Sequence, residues 1–210
     1  MSDAPQLLYA DDSLLALEKP SGMLSVLGRG EDKQDCLWSW ATREFPDALI
    51  VHRLDMATSG IILLARGKAM QSALSRLFAE RRVEKQYTAV VAGRLAASEG
   101  KVDLPLICDW PNRPRQRVSF EHGKSALTEF KRLNFEGEDR TRVLLLPYTG
   151  RSHQLRVHMQ AIGHPILGDE FYAPPAARAA ALRLLLHASQ LSFAHPVSGR
   201  EVALVSRAPF

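Results

Sequence analysis

The sequence predicts an α+β protein built around a largely antiparallel sheet, and three observations carry that expectation. Apolar runs of strand length follow one another more often than they alternate with helical segments. Few windows show the 3.6-residue apolar period, whereas β-branched or alternating stretches dominate the middle of the chain. With 46% hydrophobic residues, 210 residues can bury a sizeable core. A single domain over residues 1–210, with room for two lobes, is expected, since no repeat, low-complexity tract or linker divides the chain.

In chain order, Leu7 to Ala10 and Leu14 to Glu18 read as two short strands about the polar pair Asp11-Asp12, and Lys19-Pro20-Ser21-Gly22 must be a loop. Asp35 is placed to cap a helix running through Phe45 and stopped by Pro46. Gly60 to Ala65 is an unbroken apolar run, which predicts a buried strand. Met70, Ala73, Leu74, Leu77 and Phe78 share one helical face, giving an amphipathic helix that ends near Arg81 and Arg82. Gln86 to Ala92, Val118 to Phe120, Ala126 to Leu133 and Arg142 to Pro147 have strand character. Ser152 then opens a helix to Ile162, with Leu155, Met159 and Ile162 as its apolar stripe and Gly163 as its terminator. A strand near Leu184 to Phe193 and a hairpin through Pro196 to Gly199 close the fold.

Composition narrows the function classes. Lys and Arg number 27 against 23 Asp and Glu, and the isoelectric point of about 9.3 makes the chain mildly basic. That tolerates a polyanionic partner without requiring one. Cys36 and Cys108 lie far apart with no partner spacing, which speaks against a disulfide framework or a zinc knuckle. The segment Met1 to Gln6 carries Asp3 and no Lys or Arg, unlike an export signal. No stretch approaches the roughly 18 uncharged apolar residues of a membrane span. A soluble, cytoplasmic protein is expected.

Four polar clusters could carry chemistry. His52-Arg53-Leu54-Asp55 with Thr58-Ser59-Gly60 runs into the expected buried strand, and a rigid element suits a catalytic group. By local composition Asp55 fits a tight turn at least as well as a cleft. Gly150-Arg151-Ser152-His153-Gln154-Leu155-Arg156-Val157-His158 places Ser152, Arg156 and Gln160 on one helical stripe. Arg151, the Ser152 hydroxyl and the helix start favour an anion, and Arg156 is a candidate partner for Asp55; a solvated helix face fits the same spacing. Arg81-Arg82 with Lys85-Gln86-Tyr87 sets cations beside an aromatic ring, a pattern suited to unpaired RNA, although dipole compensation and strand packing account for it equally. Arg113, Arg115 and Arg117 alternate and, if extended, would face one way as a phosphate-tracking edge; a solvated loop is the alternative. His153 and His158 are five apart with no Glu between them, and neither a Gly-rich phosphate loop nor a G-x-S-x-G elbow occurs. Chemistry would then fall to Asp, Tyr, His and Arg without a metal.

Taken in order, Glu18-Lys19-Pro20-Ser21-Gly22, His52-Arg53-Leu54-Asp55 with Thr58-Ser59-Gly60, Lys85-Gln86-Tyr87, Gly150 to His158, and His164-Pro165-Ile166 with Gly168-Asp169 resemble the RluA family of pseudouridine synthases. The resemblance covers essentially the whole chain. It implies a mixed sheet flanked by helices with a central RNA-binding cleft, and neither metal nor organic cofactor. It also implies no separate S4-like RNA-binding domain, because the family pattern begins almost at the N-terminus. Asp55 becomes the catalytic carboxylate, Arg156 its ion-pair partner, and Tyr87 the ring packed against the target base. Arg53 becomes the residue that enters the RNA in place of the extruded nucleotide, while Ser152, His153 and Gln154 match the motif without individual roles. With these, His52, Arg81, Arg82, Lys85, Arg113, Arg115 and Arg151 make up the expected RNA contacts. The segment Leu104 to Pro114 resembles the small dual-specificity branch of the family. That branch implies a 23S ribosomal RNA hairpin and a tRNA anticodon stem-loop as substrates; a sister enzyme acting on ribosomal RNA alone is the runner-up, and a monomer is expected. Two other classes compete: a catalytically silent RNA-binding module, and a glycosidase, which would need two paired carboxylates.

Overall fold

The computed structural model describes residues 4–28, 30 and 35–210. Asp3 therefore lies outside the described residues. The chain divides into two compact units, Met1–Lys85 with His187–Pro209, and Gln86–Leu186 with Phe210.

In the first unit, β1 (Gln6–Ala10) and β2 (Leu14–Lys19) form the expected hairpin. Its turn is held by Asp11 Oδ1, which accepts the N–H groups of Ser13 and Leu14 at 2.7 and 2.8 Å. The helix expected from Asp35 is α1 (Leu37–Glu44), and its cap is Cys36 rather than Asp35. The Cys36 sulfur accepts from Ser39 N while Ser39 Oγ accepts from Cys36 N, a reciprocal arrangement that leaves Asp35 outside the cap. Then come β3 (Ala48–Ile50), β4 (Ser59–Arg66) and α2 (Lys68–Ala79).

Strand β4 is the centre of this unit. It runs antiparallel to β2 from Lys19/Gly60 to Leu14/Ala65, and antiparallel to β3 at its far end. At its start it is parallel to β11 (Leu186–Ala194) through Ser59/His187 and Gly60/Ala188. Both faces are covered, which is why its sequence is a continuous apolar run rather than an alternation. Ile61, Leu63 and Ala65 pack with Met70, Leu74 and Leu77 of α2, while Ile62 and Leu64 are equally inaccessible. Strand β11 continues through the expected turn at Pro196–Gly199 into β12 (Glu201–Val205).

Strand β5 (Glu84–Ala92) crosses into the second unit, where it pairs with β10 (Arg140–Pro147) from Tyr87/Leu145 to Ala92/Arg140. Beyond β10 follow β9 (Leu127–Glu136) and β6 (Glu99–Asp103), all antiparallel. A small hairpin joins β7 (Leu106–Cys108) to β8 (Gln116–Val118). Helices α3 (Gln154–Ala161) and α4 (Pro175–Ala179) complete the unit. The fold is therefore α+β, mixed and mostly antiparallel, with flanking helices.

Three expectations change. The strand placed at Val118–Phe120 lies at Gln116–Val118, and Phe120 is 79% exposed. The alternate arginines do not form an extended edge, because Trp110–Asn112 is a 3-10 turn and the Asn112 carbonyl accepts Arg115 N, so only Arg117 lies on a strand. Helix α3 starts at Gln154, not Ser152, since His153 sits in the left-handed region at φ 54 and cannot continue a right-handed helix. Cys36 and Cys108 are free. No described helix is long and apolar enough to cross a membrane.

Candidate active site

Asp55 belongs to the loop that feeds β4, and the segment Lys19 to Ser25 holds that loop. Lys19 is fully buried; its Nζ donates to the carbonyls of Pro20, Met23 and Met56 at 2.9, 2.8 and 3.0 Å. A buried ammonium is tolerable only with such a cage of oxygens. Ser21 Oγ donates to the Ala57 carbonyl at 2.7 Å, and Ser25 Oγ both donates to the Leu54 carbonyl and accepts Leu54 N. Thr58 N donates to the Asp55 carbonyl. Every carbonyl from Leu54 to Ala57 is thus engaged, so the backbone under Asp55 is fixed while its side chain stays half-buried.

A second buried chain of hydrogen bonds starts four residues further on. Ser59 Oγ lies 2.8 Å from His187 Nδ1, His187 Nε2 lies 2.9 Å from Ser206 Oγ, and Ser206 Oγ donates to Glu18 Oε2 at 2.7 Å. Because the Ser206 proton goes to Glu18, Ser206 accepts from His187 Nε2–H. Nδ1 faces the Ser59 hydroxyl, so both ring nitrogens are engaged.

His52 is half-buried. Its Nε2 accepts the Leu63 N–H at 2.9 Å and its ring stacks on Phe78 with centroids 4.5 Å apart. Burial, then the charge of Lys85, pushes its pKa down to about 3. A ring that accepts a strand N–H is held in place by that bond. Arg53, Arg81 and Arg82 are exposed, and Lys85 is half-buried with its pKa lowered by burial and by Arg81.

The second unit carries Tyr87, Arg113, Arg115 and the Gly150–His158 motif. Tyr87 lies half-buried on β5 opposite Leu145. Arg156 is 2% exposed, and its Nε and Nη2 donate to Asp169 Oδ2 and Oδ1 at 2.8 and 2.7 Å. It is therefore not on a solvated stripe with Ser152 and Gln160, both of which are exposed. Gln154 is buried with its amide fully used. Its Oε1 accepts from Thr149 Oγ1 and Arg151 N, and its Nε2 donates to the Leu127 carbonyl and Thr128 Oγ1. That engagement revises the expected RNA contact for Gln154. Thr128 in turn lies 2.9 Å from His158 Nδ1, whose partner nitrogen is 3.0 Å from the Leu104 carbonyl. Burial lowers the His158 pKa. His153 Nδ1 is 2.7 Å from Tyr172 Oη, and Arg151 Nε donates to the Ser125 carbonyl.

Lys19 and Asp169 stand within the sequence motifs with no role assigned to them there, and neither His187 nor Ser206 stands out in the sequence. Their spacing carries no local signal. Among the described residues no three His, Cys, Asp or Glu side chains form a metal-binding group.

Residues 13–161 match the family model described as RNA pseudouridylate synthase. The chain belongs to that family and is an enzyme, an isomerase of uridine in RNA. Within the family its likeness is to the RluA type. The dual-specificity RNA pseudouridine synthase RluA of Escherichia coli (strain K12) is 53% identical over 97% of this chain and 93% of its own length. The protein of the same name from Vibrio parahaemolyticus is 54% identical over 91% of this chain and 78% of its own. Among solved structures, human RNA pseudouridylate synthase domain containing 1 superposes with a TM-score of 0.83 at 29% identity, covering 99% of this chain and 84% of that one.

Proposed function

We propose that this enzyme converts specific uridines to pseudouridine in a 23S ribosomal RNA hairpin and in a tRNA anticodon stem-loop, with Asp55 as the catalytic carboxylate. It would act as a cytoplasmic, monomeric, single-domain enzyme. The observation that carries the substrate choice is the 53% identity, over nearly the full length of both chains, to an enzyme named for dual specificity. Support for Asp55 comes from the loop geometry, in which five side-chain and backbone donors lock the carbonyls on either side of one half-buried carboxylate.

The reaction breaks the N1–C1′ bond of uridine and forms C5–C1′ after the base has turned; C5 loses its proton and N1 gains one. A base within a helix must be extruded first, which costs a few kcal/mol and less in a loop, hence the hairpin substrates. An ionised Asp55 serves as nucleophile toward the sugar or base, or as the base that removes the C2′ proton. Arg156 is the cation that the family resemblance pairs with it. The Asp169 clamp restricts the guanidinium to one orientation. Tyr87 shields the base, and Arg53, exposed at the loop, takes the place of the extruded nucleotide in the RNA.

Asp55→Asn is expected to abolish pseudouridine formation while leaving RNA affinity within a few fold, because the amide keeps the shape and loses the charge. Tritium release from RNA labelled at uridine C5 reads the reaction. Turnover by Asp55→Asn at the wild-type rate would overturn the assignment. Release of free uracil with the label retained would mark a hydrolase, and no release by the wild type would mark a silent binder. Mapping pseudouridines in ribosomal and transfer RNA from a deletion strain checks the substrates; loss from ribosomal RNA alone would remove the tRNA half of the proposal.

A further inference from the structure

In the second unit, a cavity of about 410 Å³ opens beside the turn that carries Asp169, with Arg115, Glu170, Phe171 and Arg178 among its walls. Its floor is rigid. Asp169 Oδ1 accepts the N–H groups of Phe171 and Tyr172 at 2.9 and 3.2 Å while the same carboxylate clamps Arg156. The Phe171 ring stacks on His153 at 5.7 Å and 15°, and His153 is hydrogen-bonded to Tyr172 Oη. Tyr172 Oη accepts Gln116 N at 2.8 Å, which ties the segment bearing Arg115 to the segment bearing Phe171. The Arg115 guanidinium lies 5.9 Å from the Phe171 centroid. Arg178 projects from α4 and is exposed, as is Arg115, and neither is paired with a carboxylate among the described residues.

A half-buried aromatic ring with Arg115 at 5.9 Å and the buried Arg156 at 5.1 Å from its centroid, in a wall shared with the exposed Arg178, matches the chemistry of one unpaired nucleotide: a ring for the base and guanidinium groups for the anion. Glu170 makes the rim uneven. Its carboxylate disfavours an anion beside it, and the arginines favour one. A cavity of this size also lies within the range of single small-molecule sites, about 300–1,000 Å³, too small for a duplex.

We propose that this cavity is a nucleotide subsite, which takes one unpaired nucleotide of the substrate loop other than the reacting uridine. The base stacks on Phe171 and its phosphate sits between Arg115 and Arg178. The proposal rests on the RNA reading given above, and it assigns a fixed place in the protein to a second nucleotide of the loop.

Filter binding of a uridine-containing RNA hairpin over a salt series tests it without requiring turnover. For single-stranded RNA, each phosphate that a cation neutralises adds about 0.7 to the slope of log affinity against log salt. Because both arginines flank one phosphate, Arg115→Ala and Arg178→Ala should each lower the slope and the double variant should lower it by about 0.7, whereas Arg178→Lys should restore the slope. Phe171→Ala should weaken binding roughly ten-fold, and Phe171→Trp should restore it. In hairpins carrying one abasic position at a time, the Phe171→Ala penalty should vanish at a single position, that of the stacked base. Unchanged slopes in both arginine variants, or an equal Phe171 penalty on every abasic hairpin, would overturn the subsite. Should Phe171→Ala fail to fold, the exposed Arg178 variants still decide. Absence of pseudouridine formation by the wild type would strike the catalytic reading instead, since the salt slopes are binding measurements.

Discussion

At the scale of single residues, the imidazole of His52 has to remain uncharged. Protonation would put an N–H on Nε2 against the Leu63 N–H that this nitrogen now accepts, and it would bury a cation near Lys85. The folded pKa is about 3 against an ordinary 6.5, so between those values the unfolded chain binds more protons than the folded one. Stability from this group is complete above about pH 6.5 and falls as the pH drops toward 3, by at most about 1.4 kcal/mol per pH unit. His158, also lowered by burial, adds in the same direction. His52→Gln keeps an acceptor and cannot titrate, so its urea midpoint should decline less steeply than that of the wild type between pH 7 and 4. Parallel declines would show that His52 does not carry the acid sensitivity.

At the scale of elements, the start of β4 depends on one glycine. Gly60 has φ +110, and a Cβ there would lie 2.3 Å from the Ala188 carbonyl oxygen of β11. Gly60→Ala must either separate β4 from β11 or twist the strand, and the site next to Asp55 moves with it. We expect a loss above about 3 kcal/mol, beyond the usual range for a single substitution, seen as a sharply lower thermal midpoint with little soluble protein. A wild-type midpoint would show that the two strands do not need this close approach. Strand β4 and helix α2 were readable because burial itself writes their pattern, one as an unbroken run and the other as a 3.6-residue stripe. The beginning of α3 was not, since a left-handed His153 tied to Tyr172 reflects a partner 19 residues away. Asp55 could be picked out by its motif. The support under it could not, because the Lys19 hydrogen bond to the Met56 carbonyl spans 37 residues and nothing local distinguishes that lysine from a solvated one.

At the scale of the whole molecule, the question is what the chain must supply for an isomerisation and what it can omit. The reaction exchanges one bond at C1′ for another, with no net oxidation and no water consumed. A carboxylate can therefore carry the covalent or proton-transfer step, and a buried arginine the charge stabilisation. The basic balance of 27 Lys and Arg over 23 Asp and Glu supplies attraction to phosphate directly, without divalent bridges. With the RNA hairpin folded beforehand in potassium chloride, the initial rate of tritium release should survive excess chelator nearly unchanged. The melting curve of the hairpin under the same conditions separates an effect on the RNA from one on the enzyme. A complete loss of rate with an intact hairpin, reversed by adding back a divalent cation, would mean that the protein holds a metal, and that Asp55 and Arg156 do not suffice for the chemistry.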